Sequence, residues 1–318
     1  MIIAILGLSA TAAQSAGFKK FLVPADADGP ALEAAMWSPC AANAKDIKLG
    51  RYVLPAALDC PIVGQNLPLI VVSHGFGGTY LGHHDTAEAL ADAGFIAVAI
   101  NHSGDSFANE ARFRDFSALV SRPSDIRRLI DFMVGPASDS SKIDSNRIGF
   151  FGFSRGGYTG LVLSGGQPDF HALRCINPDA ERCARRIAEI SSVQNLVHDA
   201  RIKAIVIADP LSSMFPTRES LKTISVPVQL WGSQLGGDGV SPEDVANVAQ
   251  NLPGQPQFHI VPQAAHFAFL PPCDEERKRS SPEICIDGAN FDRAAFHKDF
   301  NQRVLAFFQQ HLGAGERP

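Results

Sequence analysis

Two residues far apart in the chain have the surroundings that nucleophilic catalysis needs. Ser154 lies in Gly152-Phe153-Ser154-Arg155-Gly156, followed by Gly157. A G-x-S-x-G run carries meaning where a strand enters and a helix leaves, because the serine then sits on a strained turn and glycines let neighbouring backbones approach. The apolar run Arg147–Phe153 supplies the strand. A serine hydroxyl is a weak nucleophile until a base takes its proton. His266 follows a strand-like run, Gln257–Val261, and is the expected base, whereas His297 and His311 fall in a helical pattern and read as packing or surface residues. An acid should hold the imidazole. Asp209, in Ala208-Asp209-Pro210, and Asp238, in Gly237-Asp238-Gly239-Val240-Ser241-Pro242, each follow an apolar strand, and spacing alone does not choose between them. Backbone amides should stabilise the oxyanion. The expected donors are Arg155 and Phe76, the latter in His74-Gly75-Phe76-Gly77-Gly78, where His74 reads as a brace for the loop; His83 and His84 read as surface residues.

The elements that must position these groups follow from hydrophobic pattern. Leu67–Ser73, Phe95–Ile100, Ile148–Phe153, Ile202–Ala208 and Val226–Trp231 are short continuous apolar runs, as expected of strands covered on both faces in a parallel sheet. Phe18–Val23 and Leu32–Trp37 read as an earlier hairpin, and the stretch from there to about Pro61 as a loop. Helices are expected over Asp85–Ala93, over a stripe of Ile126, Leu129, Ile130 and Met133 with Pro123 near its start, over Glu243–Leu252 and over Asp292–Leu312. The alternation predicts an α/β fold, a mostly parallel central sheet flanked by helices. The polar segment 165–201 interrupts it and reads as an insertion near the site opening, with a helix near Ala180–Val197.

Composition sets the class of partner. The 318 residues are 45% hydrophobic and 19% charged, which suits one large globular domain. A net charge of −5 without a dense Lys/Arg cluster argues against nucleic acid. Residues 1–16 are apolar or small and read as a signal peptide ahead of a single domain over 17–318, with no stretch apolar enough for stable membrane insertion. The six cysteines fall into local pairs, Cys40 with Cys60, Cys175 with Cys183 and Cys273 with Cys285. None has the CxxC spacing of zinc or redox motifs, so disulfides in a periplasmic or secreted protein are expected.

At these residues the chain resembles the platelet-activating factor acetylhydrolase-like and predicted dienelactone hydrolase branch of the α/β-hydrolases. The matching pieces are Ser73-His74-Gly75-Phe76-Gly77-Gly78, Gly152-Phe153-Ser154-Arg155-Gly156-Gly157, Ile207-Ala208-Asp209-Pro210, Ala265-His266-Phe267, and the run from Pro272-Cys273 through Cys285 to His297. The resemblance implies the α/β-hydrolase fold, a small-molecule ester as substrate, an acyl-Ser154 intermediate, and no metal or cofactor. The acetylhydrolases place the acid at the position of Asp209. Most other members place it after the next strand, and Asp-x-Val-x-Pro around Asp238 resembles their acid loop, so Asp238 is preferred. Dienelactone hydrolases carry cysteine where this chain has Ser154. Amide hydrolysis on the same triad, or a non-catalytic binding protein on the same fold, are the alternatives.

Overall fold

Alternating side chains decide which layer each strand feeds. The computed structural model describes residues 15–112, 116–173, 180–192 and 196–313. In β5 (Leu67–Ser73), Leu69 and Val71 enter one core while Ile70 and Val72 enter the other. In β6 (Ile96–Ile100), Ile96, Val98 and Ile100 are divided from Ala97 and Ala99 in the same way. This is the period-two geometry of a strand buried on both faces.

These strands belong to a ten-stranded sheet of order β10-β9-β8-β7-β5-β6-β2-β1-β4-β3. Its parallel part runs from β6 through β5, β7 (Ile143–Phe153), β8 (Ile202–Ala208) and β9 (Val228–Ser233) to β10 (Gln257–Val261). The hairpin of β1 (Ser15–Val23) and β2 (Leu32–Cys40) adds antiparallel strands, β2 pairing with β6. Ser15 pairs with Cys40, and Ala16 is buried in the core, so β1 begins two residues before the expected start of the domain at residue 17.

The stretch expected as a loop before Pro61 instead holds a second hairpin, β3 (Lys45–Leu49) and β4 (Tyr52–Leu58), at the sheet edge. Pro55 inside β4 hides it in the sequence, since proline removes a ladder donor and is tolerated only at edges and bulges. On one face of the sheet lie α1 (His84–Asp92) and the C-terminal helix, whose Phe300, Val304, Phe307 and Phe308 are buried. On the other face lie α2 (Ser117–Val134), α3 (Arg155–Leu163), α4 (Ala180–Ser191) and α5 (Pro242–Asn251). Pro123 sits in the second turn of α2 rather than near its start. The short α6 (Glu275–Ser280) precedes α7 (Arg293–Leu312).

Disulfides join Cys40 to Cys60 and Cys273 to Cys285. Cys175, the expected partner of Cys183, lies outside the described residues, as do residues 1–14. Among the described residues no helix is long and apolar enough to cross a membrane.

Candidate active site

β7 ends at Phe153 and α3 begins at Arg155, leaving Ser154 alone to reverse the chain, at φ 55° and ψ −118°. Such a backbone is strained for a residue with a side chain. Contacts on both sides hold it: the Ser154 amide donates to Ala208 O at 3.0 Å, and its carbonyl accepts from Leu211 N at 3.0 Å. The flanking glycines are dictated by space. A Cβ at Gly152 would lie 2.3 Å from Gly156 O, and one at Gly156 would lie 2.0 Å from Ser73 O. Any larger residue would push the turn away from β5.

His266 opens a short helical turn after β10, and its amide donates to Gly236 O at 2.9 Å. Its Nε2 lies 3.1 Å from Ser154 Oγ and its Nδ1 lies 2.7 Å from Asp209 Oδ2. Since Asp209 accepts, the imidazole proton sits on Nδ1, and Nε2 is left to accept from the serine hydroxyl. Asp209 follows β8 at φ 43° and is fully buried. Ser233 completes its shell, its N–H donating to Oδ1 at 2.9 Å and its hydroxyl to Oδ2 at 2.7 Å. The preferred acid of the sequence reading, Asp238, is not in this chain of bonds. It sits exposed at φ 48° in the turn closed by Gly237 and Val240. The backbone of that turn packs on His266: a Cβ at Gly237 would lie 3.3 Å from His266 Cβ. The resemblance of the Asp238 segment to an acid loop is therefore a resemblance of the loop only; its carboxylate is on the cleft surface.

The loop bearing Phe76 lies against the serine, since a Cβ at Gly75 would be 3.2 Å from Ser154 Cβ. Its orientation comes from Arg122, a fully buried residue of α2 that sequence reasoning passed over. Arg122 donates from Nη1 to His74 O at 2.8 Å and from Nη2 to Gly75 O at 3.0 Å. No peptide bond here is cis. With the Gly75 carbonyl turned to Arg122, the Phe76 N–H must leave the opposite edge of the same peptide plane. His74 grips the same carbonyl: its Nε2 accepts from His102 N at 3.2 Å, so Nδ1 carries the proton and donates to Gly75 O at 2.6 Å. Asp105 anchors the assembly, accepting from Arg122 Nε at 2.7 Å and from Arg155 Nη1 at 3.1 Å. Burial would raise the Asp105 carboxyl, but Arg122 and Arg155 outweigh it and hold it below the carboxylate range. The Arg155 guanidinium also lies 4.3 Å from the Phe76 ring centroid, tying together the two residues expected to supply oxyanion amides. Arg122→Met leaves Asp105 with Arg155 alone in the interior and the Gly75 carbonyl with His74 alone, which loosens the Phe76 peptide. The expected result is a loss of about 3–5 kcal/mol in denaturant unfolding, with kcat on a simple ester down by about 10²–10³, the cost of one lost oxyanion donor.

A second Ser-His-Asp chain lies deeper. Ser73 Oγ is 2.8 Å from His102 Nε2, and His102 Nδ1 is 3.2 Å from Asp125 Oδ2. Ser73 is 0% exposed and its hydroxyl also meets Arg122 Nη1 at 3.4 Å, whereas Ser154 lines a cleft. No substrate reaches Ser73, and this second chain braces β5 against α2. Three histidines around these loops are kept neutral, chiefly by burial: His74 and His102 lie well below the ordinary imidazole value, and His83, expected at the surface but buried between α1 and Phe151, is lowered to about 4. An unfolded histidine takes its proton near pH ~6.5. Between that value and the folded one the unfolded chain holds more protons, so stability is complete above ~6.5 and falls as pH drops toward 4. The expected slope is about 1.4 kcal/mol per pH unit from His83 alone. Denaturant melts at graded pH measure it, and a midpoint unchanged across that window refutes it.

The cleft has a volume of about 710 Å³ and is walled by His74–Thr79, Phe153, Phe267, the β3–β4 turn and the segment closed by Cys273–Cys285. No described residue of the segment 165–201 lines it, contrary to its expected place at the site opening; Cys183, Ile187 and Ile190 of α4 pack instead into the core on the α2–α3 face. Asp287, just past the Cys273–Cys285 segment, joins it to the His266 loop: Ala265 N donates to Asp287 Oδ1 at 3.1 Å, and Arg293 donates from Nη2 to Asp287 Oδ2 at 2.7 Å and from Nη1 to Ile284 O at 2.9 Å. His297 supports the same loop by its bond to Ala268 O at 2.8 Å.

A parallel sheet with helices on both faces, a nucleophile-type turn after β7, an acid after β8 and a histidine after β10 define the α/β-hydrolase fold. Solved structures share it. A ferulic acid esterase from Streptomyces cinnamoneus superposes with a TM-score of 0.67 at 19% identity, over 98% of this chain and 95% of that one. A dienelactone hydrolase from Anabaena variabilis does so with a TM-score of 0.53 at 16% identity, over 94% and 99%. In sequence, 111 residues are 28% identical to Cutinase 2 of Thermobifida cellulosilytica, 34% of this chain and 38% of that protein. The same identity and length relate it to Cutinase cut1 of Thermobifida fusca, over 34% and 32%. The chain thus spans about a third of the length of the curated relatives it matches. No family model matches it.

Proposed function

We propose that this chain is a serine hydrolase of carboxylic esters. The observation that carries the reading is the bonded series Ser154–His266–Asp209 at a cleft wide enough for a small molecule. In this reaction Ser154 Oγ attacks the ester carbonyl while its proton passes to His266 Nε2. The carbonyl oxygen, now negative, is held by the Phe76 and Arg155 amides. The intermediate collapses, the C–O bond to the alcohol breaks, and the alcohol leaves with the proton from His266. Water then repeats the sequence on acyl-Ser154 and releases the acid. The names of the sequence relatives and of the ferulic acid esterase neighbour point toward ester substrates. The test is an ester panel of graded acyl length beside matched amides, with a fluorophosphonate probe and peptide mapping. Burst release of alcohol and label on Ser154 are expected; no reaction with any ester or probe would return the chain to the binding-protein reading.

The finer assignment to the acetylhydrolase-like branch rests on the motifs quoted above, with Asp209 at the acid position that branch uses. Export belongs to the same proposal. The two disulfides suit an oxidising compartment. Residues 1–16 have the composition of a signal peptide, and the described structure, which begins at Ser15 in β1, suits removal of the residues before the domain. N-terminal sequencing of protein recovered from the periplasm or medium tests this, and an uncleaved Met1 there would refute it.

A further inference from the structure

One corner of the cleft is built from parts that proton transfer at Ser154 does not use. Tyr52 opens β4, and its phenol oxygen accepts from Arg51 Nη2 at 3.4 Å and from Arg277 Nη1 at 3.4 Å. The two arginines come from distant elements, the β3–β4 turn and α6, and both line the cleft that contains Ser154. The Arg51 guanidinium also lies 5.2 Å from the Tyr52 ring and 5.9 Å from the Phe107 ring. Both arginines are half-buried, and among the described residues neither has a carboxylate within salt-bridge distance. The acids in the same cleft are otherwise engaged or set apart. Asp85 bonds His297, Asp274 caps α6 through the Arg277 amide, and Asp238 and Glu283 meet neither guanidinium.

Chemistry narrows what such a corner accepts. Each guanidinium has five N–H donors, and one from each arginine goes to the phenol. With both its lone pairs facing arginine, Tyr52 has only its O–H left to offer. The result is a set of donors with no acceptor among them, and paired guanidiniums match the planar or tetrahedral oxygens of carboxylate and phosphate. The disulfide Cys273–Cys285 closes the segment carrying Arg277, which lowers the cost of holding it there. We infer that Arg51, Tyr52 and Arg277 form a subsite for an anionic oxygen-bearing group on the substrate, so that the preferred esters carry a free carboxylate or phosphate beyond the scissile bond. The inference deepens the ester-hydrolase reading and rests on it.

The experiment compares 4-nitrophenyl butyrate with the 4-nitrophenyl half-ester of glutaric acid, on wild type and on the double variant Arg51→Gln/Arg277→Gln. The readout is the ratio of kcat/KM for the anionic to the neutral ester. Wild type is expected to favour the half-ester, and the double variant to lower the ratio by about 10–100-fold, mainly through KM, at roughly tenfold per charge-assisted hydrogen bond. The wild-type preference should also shrink modestly as salt is raised, because the two arginines keep surface on the open cleft, where solvent ions reach them. A ratio equal in the two proteins overturns the subsite. Labelling of Ser154 by fluorophosphonate and the unfolding midpoint confirm that the double variant is folded. Calorimetric titration with glutarate and with inorganic phosphate tests the corner without turnover and separates the two anion types. Binding by wild type that the double variant loses supports the subsite even if no ester is hydrolysed, an outcome that would sink the hydrolase reading alone; binding of neither anion overturns the subsite.

Discussion

Ser154→Ala is expected to lower turnover of a simple ester by about 10⁶-fold, the scale of nucleophile loss in comparable triads. The removed oxygen is the only one at this turn placed both 3.1 Å from His266 Nε2 and on the cleft. The backbone around it should survive the change, because its strain is held by main-chain bonds to Ala208 and Leu211 that do not involve Oγ. Far-ultraviolet circular dichroism and the unfolding midpoint should therefore match wild type while fluorophosphonate labelling disappears. The buried Ser73–His102–Asp125 series supplies the control. Ser73→Ala should keep probe labelling, since that hydroxyl has no exposed surface. Labelling that persisted in Ser154→Ala and vanished in Ser73→Ala would exchange the roles of the two series and undo the proposed function.

The parallel strands and the serine turn were legible because both are local. Continuous apolar runs announce β5 and β8 at the bounds they adopt, and the glycines around Ser154 answer to steric contacts that any residue with a Cβ would violate. The partner of His266 was not legible, because two aspartates follow two adjacent strands and only the path of the His266 loop brings one of them, Asp209, within hydrogen-bond distance of the imidazole. The walls of the cleft were missed for a different reason. The β3–β4 hairpin is a charged edge with a proline in it, so its composition reads as loop. Arg122 did leave a signal. It falls four residues before Ile126 on the apolar stripe of α2, in line with Leu119, Leu129 and Met133. A charge on a buried stripe needs partners, and here they are Asp105 and the carbonyls of His74 and Gly75.

Asp209→Asn separates the two candidate acids in one measurement. The carboxylate accepts from His266 Nδ1, Ser233 N and Ser233 Oγ, so it is fully bonded as an anion. An asparagine amide of the same shape can turn its NH₂ toward the imidazole and make Nδ1 the acceptor. The ring proton then moves to Nε2, where it blocks the serine instead of receiving from it. A drop in kcat of about 10⁴ is expected, the effect of such a tautomer change in a Ser-His-Asp triad. KM should change little, since Asp209 is buried and is not part of the cleft wall. Asp238→Asn should keep kcat within a few-fold of wild type, because the carboxylate is exposed and makes no bond to His266. Its turn packs on the imidazole through the backbone at Gly237, which the substitution leaves in place. The inverse pattern, with Asp238→Asn the damaging change, would mean that the working enzyme swings the 236–239 turn inward and that the bond between His266 and Asp209 is not the one that orients the base.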